Sequence, residues 1–123
     1  MKTKALLLTV LLGASLSTAC QFYARDAKDY KKATRDLLDT KSAEIKACYE
    51  TAKQANGKAK GTVVVHFLVE AKTGRILAPE VLPESTAPKE LGECVVKSIN
   101  GLVLNPPDQR LGDATFAYDF NDG

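Results

Sequence analysis

The sequence predicts a small α+β domain, in the order helix, strand, strand, helix, strand, with a three-stranded antiparallel sheet. Three observations carry this. Two stretches, around 38–52 and 91–102, repeat apolar residues at the spacing of one helical face. Three others alternate or run apolar at strand length. Turn-forming residues, Asn56-Gly57, Lys72-Thr73-Gly74 and Asn105-Pro106-Pro107, separate them.

The chain starts with a segment that does not belong to the fold. Met1 to Ala19 has a short basic start (Lys2, Lys4), an apolar run from Ala5 to Ala14 and a small-residue exit, Ser17-Thr18-Ala19. This is the layout of a bacterial export signal. Its apolar run is far shorter than the roughly 20 residues that span a bilayer, so no retained transmembrane helix is expected. Cys20 follows at once, and two readings of it stay open. In the favoured one, Ser17-Thr18-Ala19-Cys20 resembles a lipobox, with Leu16 one position early, and Cys20 is the lipidated first residue of a lipoprotein. In the other, ordinary cleavage after Ala19 leaves an exposed thiol at the new N-terminus, a liability in an oxidising compartment. Gln21 rather than Asp after Cys20 points to the periplasmic face of the outer membrane; the alternative is a soluble periplasmic or secreted protein. Residues 20–123 make one domain's worth of chain. Cleavage removes Lys2 and Lys4, so Lys+Arg falls from 17 to 15 and equals the 15 Asp+Glu. The surplus of positive charge that marks a nucleic-acid binder is absent, and no nucleic-acid partner is expected.

Residues 20–40 read as a lipidated N-terminus and a charged tether or solvated helix. Arg25-Asp26-Ala27-Lys28-Asp29-Tyr30-Lys31-Lys32 mixes both signs. The domain proper is placed at 41–123. Leu38, Ile45, Cys48/Tyr49 and Ala52 share a helical face, and Asn56-Gly57 suits a left-handed cap. Thr62 to Glu70 is the clearest strand, with Val63, Val65, Phe67 and Val69 on one side and Val64, His66 and Leu68 on the other. Ala71-Lys72-Thr73-Gly74 is a turn in which Gly74 supplies the positive φ. Arg75 to Leu82 returns as a strand made irregular by Pro79. Ser85-Thr86-Ala87-Pro88 resembles a helix start with a hydroxyl cap. Leu91, Cys94/Val95 and Ile99 continue that helix, and Gly101 stops it. Asn105-Pro106-Pro107 forbids regular structure. Ala114 to Phe120 alternates as the last strand.

Cys48 and Cys94 fall on core-facing positions of the two helices and are the only thiols left if Cys20 is acylated. In an exported domain a disulfide between them is the favoured reading over two buried free thiols. Two Cys and one His on separate elements make a poor tetrahedral set, so no metal is expected, and no cofactor.

Ile45-Lys46-Ala47-Cys48-Tyr49-Glu50, Gly61-Thr62-Val63-Val64-Val65-His66-Phe67, Gly74-Arg75-Ile76, Glu93-Cys94-Val95 and Phe116-Ala117-Tyr118-Asp119-Phe120 follow one another in order. This set resembles the TonB C-terminal-like domains of the AgmX/PglI type, found in myxobacterial and related envelope proteins. The resemblance covers about residues 41–120. It implies a non-enzymatic module that binds a protein partner through an exposed strand edge.

The search for chemistry supports a binding module. His66, the single histidine, has no G-x-S-x-G or other nucleophile motif to serve. Glu80, Glu84, Glu90 and Glu93 read as solvated charge near a helix start. Gly57, Gly61 and Gly74 are too scattered to cradle phosphate. Tyr30, Tyr49 and Tyr118 read as core or rim aromatics. The expected function is an envelope lipoprotein, held to the membrane by its N-terminal lipid, whose domain binds an unidentified envelope protein; a small cell-wall enzyme or inhibitor, or a structural spacer, is the alternative. A helix that returns the chain should make the last strand antiparallel to the first, in the spatial order two, one, three. Ala114, Thr115, Phe116, Ala117, Tyr118, Asp119 and Phe120 then form an edge open to an extended partner segment. Alternatively, Asn105-Pro106-Pro107 or the charged N-terminal helix covers that edge.

Overall fold

A computed structural model describes residues 24–122. Its elements are α1 (Ala27–Asp39), α2 (Ser42–Ala55), β1 (Gly61–Val69), β2 (Ile76–Val81), α3 (Lys89–Ile99) and β3 (Gly112–Phe120). The fold is α+β, with the expected three-stranded antiparallel sheet in the order β2-β1-β3.

The charged N-terminal segment is a helix. Asp26 caps α1, its carboxylate accepting the Asp29 N–H at 2.8 Å, and Asp29 adds negative charge to the first turn. Thr34 and Leu38 on its inner side are buried. The apolar repeat from Leu38 to Ala52, read above as one helix, spans two. The N–H groups of Thr40 and Lys41 bond three residues back, to Leu37 and Leu38, and this tightened turn separates α1 from α2. Leu38 belongs to α1; Ile45, Cys48 and Tyr49 are the buried face of α2. The left-handed cap expected at Asn56-Gly57 does not form. Asn56 is extended at φ −152°, and its side chain instead accepts the Lys58 N–H at 3.0 Å.

Val63, Val65, Phe67 and Val69 of β1 are fully buried against the helices. The opposite face of the sheet, with Val64, His66 and Leu68, is open and half-buried. Gly74 takes the expected positive φ, +75°, and its carbonyl receives the Leu104 N–H at 2.6 Å. The β1–β2 register slips between His66 and Leu68, opposite Ala78 (φ +49°) and Pro79, so β2 carries a bulge.

The expected hydroxyl cap on α3 is also corrected. Pro88 stands at the N-cap with no side-chain bond. Ser85 and Thr86 serve β1 instead: Ser85 Oγ accepts the Val64 N–H at 2.8 Å and Thr86 Oγ1 the Thr62 N–H at 2.9 Å. Their hydroxyls complete the ladder where β2 has ended, because a buried strand amide left unpaired costs more than an uncapped helix end open to water. Gly101 follows the end of α3 at φ +84°. Cys48 of α2 and Cys94 of α3 form the expected disulfide pair, with their sulfurs 2.06 Å apart. Among the described residues no helix is long and apolar enough to cross a membrane.

Candidate functional site

A three-stranded sheet has two edges, and this one treats them differently. The β2 edge is six residues long, bulged, and interrupted by Pro79. These are the usual devices that blunt an edge. The β3 edge is nine residues long and pairs with β1 in unbroken register from Gly61↔Phe120 to Val69↔Gly112. It contains no proline.

The register also shows which backbone groups of β3 are free. Thr62 and Val64 direct their carbonyls toward the β2 side, where they accept from Thr86, Ala87 and Leu82. By alternation Val63, Val65 and Phe67 face β3, and their partners Tyr118, Phe116 and Ala114 turn back to β1. The N–H and C=O groups of Asp113, Thr115, Ala117 and Asp119 therefore point outward, and among the described residues no strand lies beyond them. Of the predicted edge residues, Thr115, Ala117 and Asp119 offer backbone groups. Ala114, Phe116, Tyr118 and Phe120 put theirs into the sheet and their side chains toward the helices.

α1 neither caps this edge nor leaves it bare. It borders β3 on the helical face: Tyr30 lies against Gly112, and the Arg35 guanidinium stands 5.9 Å from the centre of the Phe116 ring. Between them runs an open groove of about 530 Å³, whose walls include Tyr30, Lys31, Thr34, Arg110, Ala114 and Phe116. None of Asn105, Pro106 and Pro107 lines this groove; the segment leads to Asp108, which is 1% exposed. Asp108 accepts the Arg25 N–H at 2.9 Å and the Arg110 N–H at 3.2 Å, with the two guanidinium groups 3.8 and 3.7 Å away. Burial pushes the Asp108 carboxyl up, but those N–H donors and both arginines outweigh it and hold it below the usual carboxylate range. Burial and the nearby Asp108 push the Tyr30 phenol up. Burial, with Asp39 adding to it, pushes Tyr118 up to about 12, in keeping with a neutral packing residue.

The open face carries one further cluster. His66 bridges all three strands, with Nε2 2.6 Å from Asp113 Oδ1 and Nδ1 3.3 Å from Glu80 Oε1. These contacts tie the three strands together across the open face. Glu93 lies 3.7 Å from Lys89, and Glu90 sits in the first turn of α3. Tyr49 is buried and donates to Asp122 at 2.9 Å. No group of His, Cys, Asp and Glu suited to a metal occurs among the described residues. Cys20 lies outside them.

Comparison with protein-family models, with curated proteins and with solved structures finds no match for this chain.

Sequence reasoning overlooked Arg25, Lys31, Asp108 and Arg110. A signal for Lys31 was present: Lys28, Lys31 and Arg35 fall on one side of α1, while Asp29 and Asp36 fall on the other. Nothing in the sequence announced Asp108, whose burial depends on a contact 83 residues away.

Proposed function

We propose that this chain is a non-enzymatic bacterial envelope lipoprotein whose TonB-like domain receives an extended segment of a periplasmic protein along β3. The observation that carries the reading is the contrast between the edges: β2 is blunted, and β3 is long and regular, with no strand on its outer side among the described residues. The ordered motif set around Cys48, His66, Cys94 and Phe116 supports it, as does the layout of residues 1–20. A lipid on Cys20 holds the domain at the outer membrane, since each buried CH₂ contributes about 0.8 kcal/mol and several acyl chains anchor firmly.

Photo-crosslinking from position 117 in intact cells tests the edge. A discrete adduct with one envelope protein is expected, and it should vanish when Thr115 is replaced by Pro. That change removes an outward N–H and leaves the β1 ladder whole. An adduct that survives in a folded Thr115→Pro protein would sink strand addition. Intact-mass analysis of the membrane fraction tests the anchor; a mature N-terminus without acyl mass refutes it.

A further inference from the structure

We infer that the segment received along β3 is acidic on one face only, with carboxylates at alternate residues directed at α1. This inference rests on the strand-addition reading and specifies the partner's chemistry. A strand added to β3 lies about 4.8 Å beyond it and continues its pleat. Its side chains then alternate between the helical face and the open face. On the helical face they enter the groove beneath α1, where Lys31 and Arg110 line the walls and Arg35 overhangs Phe116; Asp113 also lines it, but its carboxylate is bonded to His66. Lys31 has no ion-pair partner among the described residues. Asp108 is buried, with the Arg25 and Arg110 guanidinium groups 3.8 and 3.7 Å from its carboxylate.

The spacing fits as well as the sign. Lys31 and Arg35, four residues apart on a helix, are separated by about 6 Å along its axis. Alternate residues of an extended strand are separated by about 6.7 Å. Two carboxylates on one face of the added strand can therefore meet two cations at once. The acidic residues of α1 lie elsewhere. Asp29 and Asp36 are on its far side, Asp36 bonded to Lys32 at 2.7 Å, and Asp26 caps the helix. Asp39 stands beside Tyr118 and ends the cationic stretch there. The acidic positions thus belong opposite the Gly112–Phe116 half of β3.

The open face imposes the opposite preference. Asp113 and Asp119 project there, bonded to His66 and Thr62. Carboxylates set directly beside them would be like charges in cross-strand contact, which destabilises pairing. Neutral side chains suit those positions.

Three blocked, fluorescein-labelled octapeptides test this. Each has Thr at the odd positions and Val at the sixth and eighth, with Glu, Gln or Lys at the second and fourth. Binding to the full chain is read by fluorescence anisotropy. The Glu peptide should bind about five- to tenfold tighter than the Gln peptide, from two partly exposed ion pairs, and the Lys peptide weakest. The difference should collapse in about 0.5 M salt and reverse in the Lys31→Glu, Arg35→Glu protein, whose fold is checked by circular dichroism. Equal binding of the Glu and Gln peptides, with both weakened by Thr115→Pro, overturns the charge assignment and leaves strand addition standing. Preferential Glu binding unchanged by Thr115→Pro and Ala117→Pro overturns strand addition itself. No binding of any peptide at millimolar concentration overturns both.

Discussion

Replacing Asp108 by Asn should cost the fold about 3 kcal/mol. The side chain keeps its size but loses its charge, and one of its two oxygens becomes an NH₂ group facing a donor. Oδ2 accepts from the Arg25 N–H and Oδ1 from the Arg110 N–H, so either orientation of the amide loses an acceptor. A hydrogen bond to a charged group contributes about 1.5–3 kcal/mol. The Arg25 side chain, 6% exposed, also loses its buried counter-charge, and breaking a buried pair from one side costs about 3–5 kcal/mol. The lower end applies because Arg25 Nη2 still donates to the Pro106 carbonyl at 2.8 Å. For a domain of this size the melting temperature should fall by more than about 10 °C, measured by far-UV circular dichroism. A drop under about 3 °C would refute the assigned role. The pH dependence gives an independent check. The carboxyl is held below its ordinary value of 3.8, so the folded state binds its proton less readily than the unfolded chain does. Its stabilisation is fully present above that value and is lost as pH falls through the lower, folded one. The gap between wild type and Asp108→Asn should therefore be constant from neutral pH down to about 5 and should narrow as pH falls below about 4. A gap unchanged at pH 2 would contradict the charge argument.

Three further predictions concern the frame. The Cys48→Ser, Cys94→Ser protein should lose up to about 4 kcal/mol in urea denaturation, because the bridge joins positions 46 apart and constrains the unfolded chain; wild type under reductant should match it, and identical reduced and non-reduced peptide maps would show that no bridge forms. Gly74→Ala should cost more than about 1 kcal/mol by the same assay, since the added methyl meets the Leu104 carbonyl oxygen and the backbone stays at φ +75°; an unchanged midpoint would show that this turn can shift. Phe67→Ala should cost about 3–5 kcal/mol, since this side chain is fully buried at the centre of β1; a loss under 1 kcal/mol would place the core elsewhere.

The strands were legible because their side chains alternate between two different environments. Val63, Val65, Phe67 and Val69 are buried without exception, and in β3 the half-buried Ala114, Phe116 and Tyr118 alternate with the exposed Thr115, Ala117 and Asp119. The cysteine pair could be read from compartment and helical position. The break at Thr40 could not: a seven-residue step from Leu38 to Ile45 keeps phase whether or not the helix continues. Ser85 and Thr86 misled because a hydroxyl that caps a helix and one that completes a strand ladder look alike in sequence. Tertiary context decides between them, and here β2 ended with the Thr62 and Val64 amides of β1 still to be satisfied. The outward direction of the Thr115 and Ala117 amides needed the β1 register, which periodicity alone does not supply. The groove needed α1 and β3 side by side, and these lie at opposite ends of the chain.

The alternation of backbone direction along β3 makes this strand a built-in reporter. In native-state hydrogen exchange, the amides of Ala114, Phe116 and Tyr118 are shielded by β1 and should exchange only when the sheet opens. Those of Asp113, Thr115, Ala117 and Asp119, interleaved with them on the same strand, should exchange orders of magnitude faster. Averaged over the strand, β3 therefore registers as half-protected. Residue by residue it is a comb, and only the fast teeth respond to whatever lies alongside. A ligand seated elsewhere, even one that stiffens the whole domain, slows only the shielded set and leaves the fast teeth as they were. Occupancy of the edge can thus be told from general stabilisation by one spectrum, before the occupant itself is in hand.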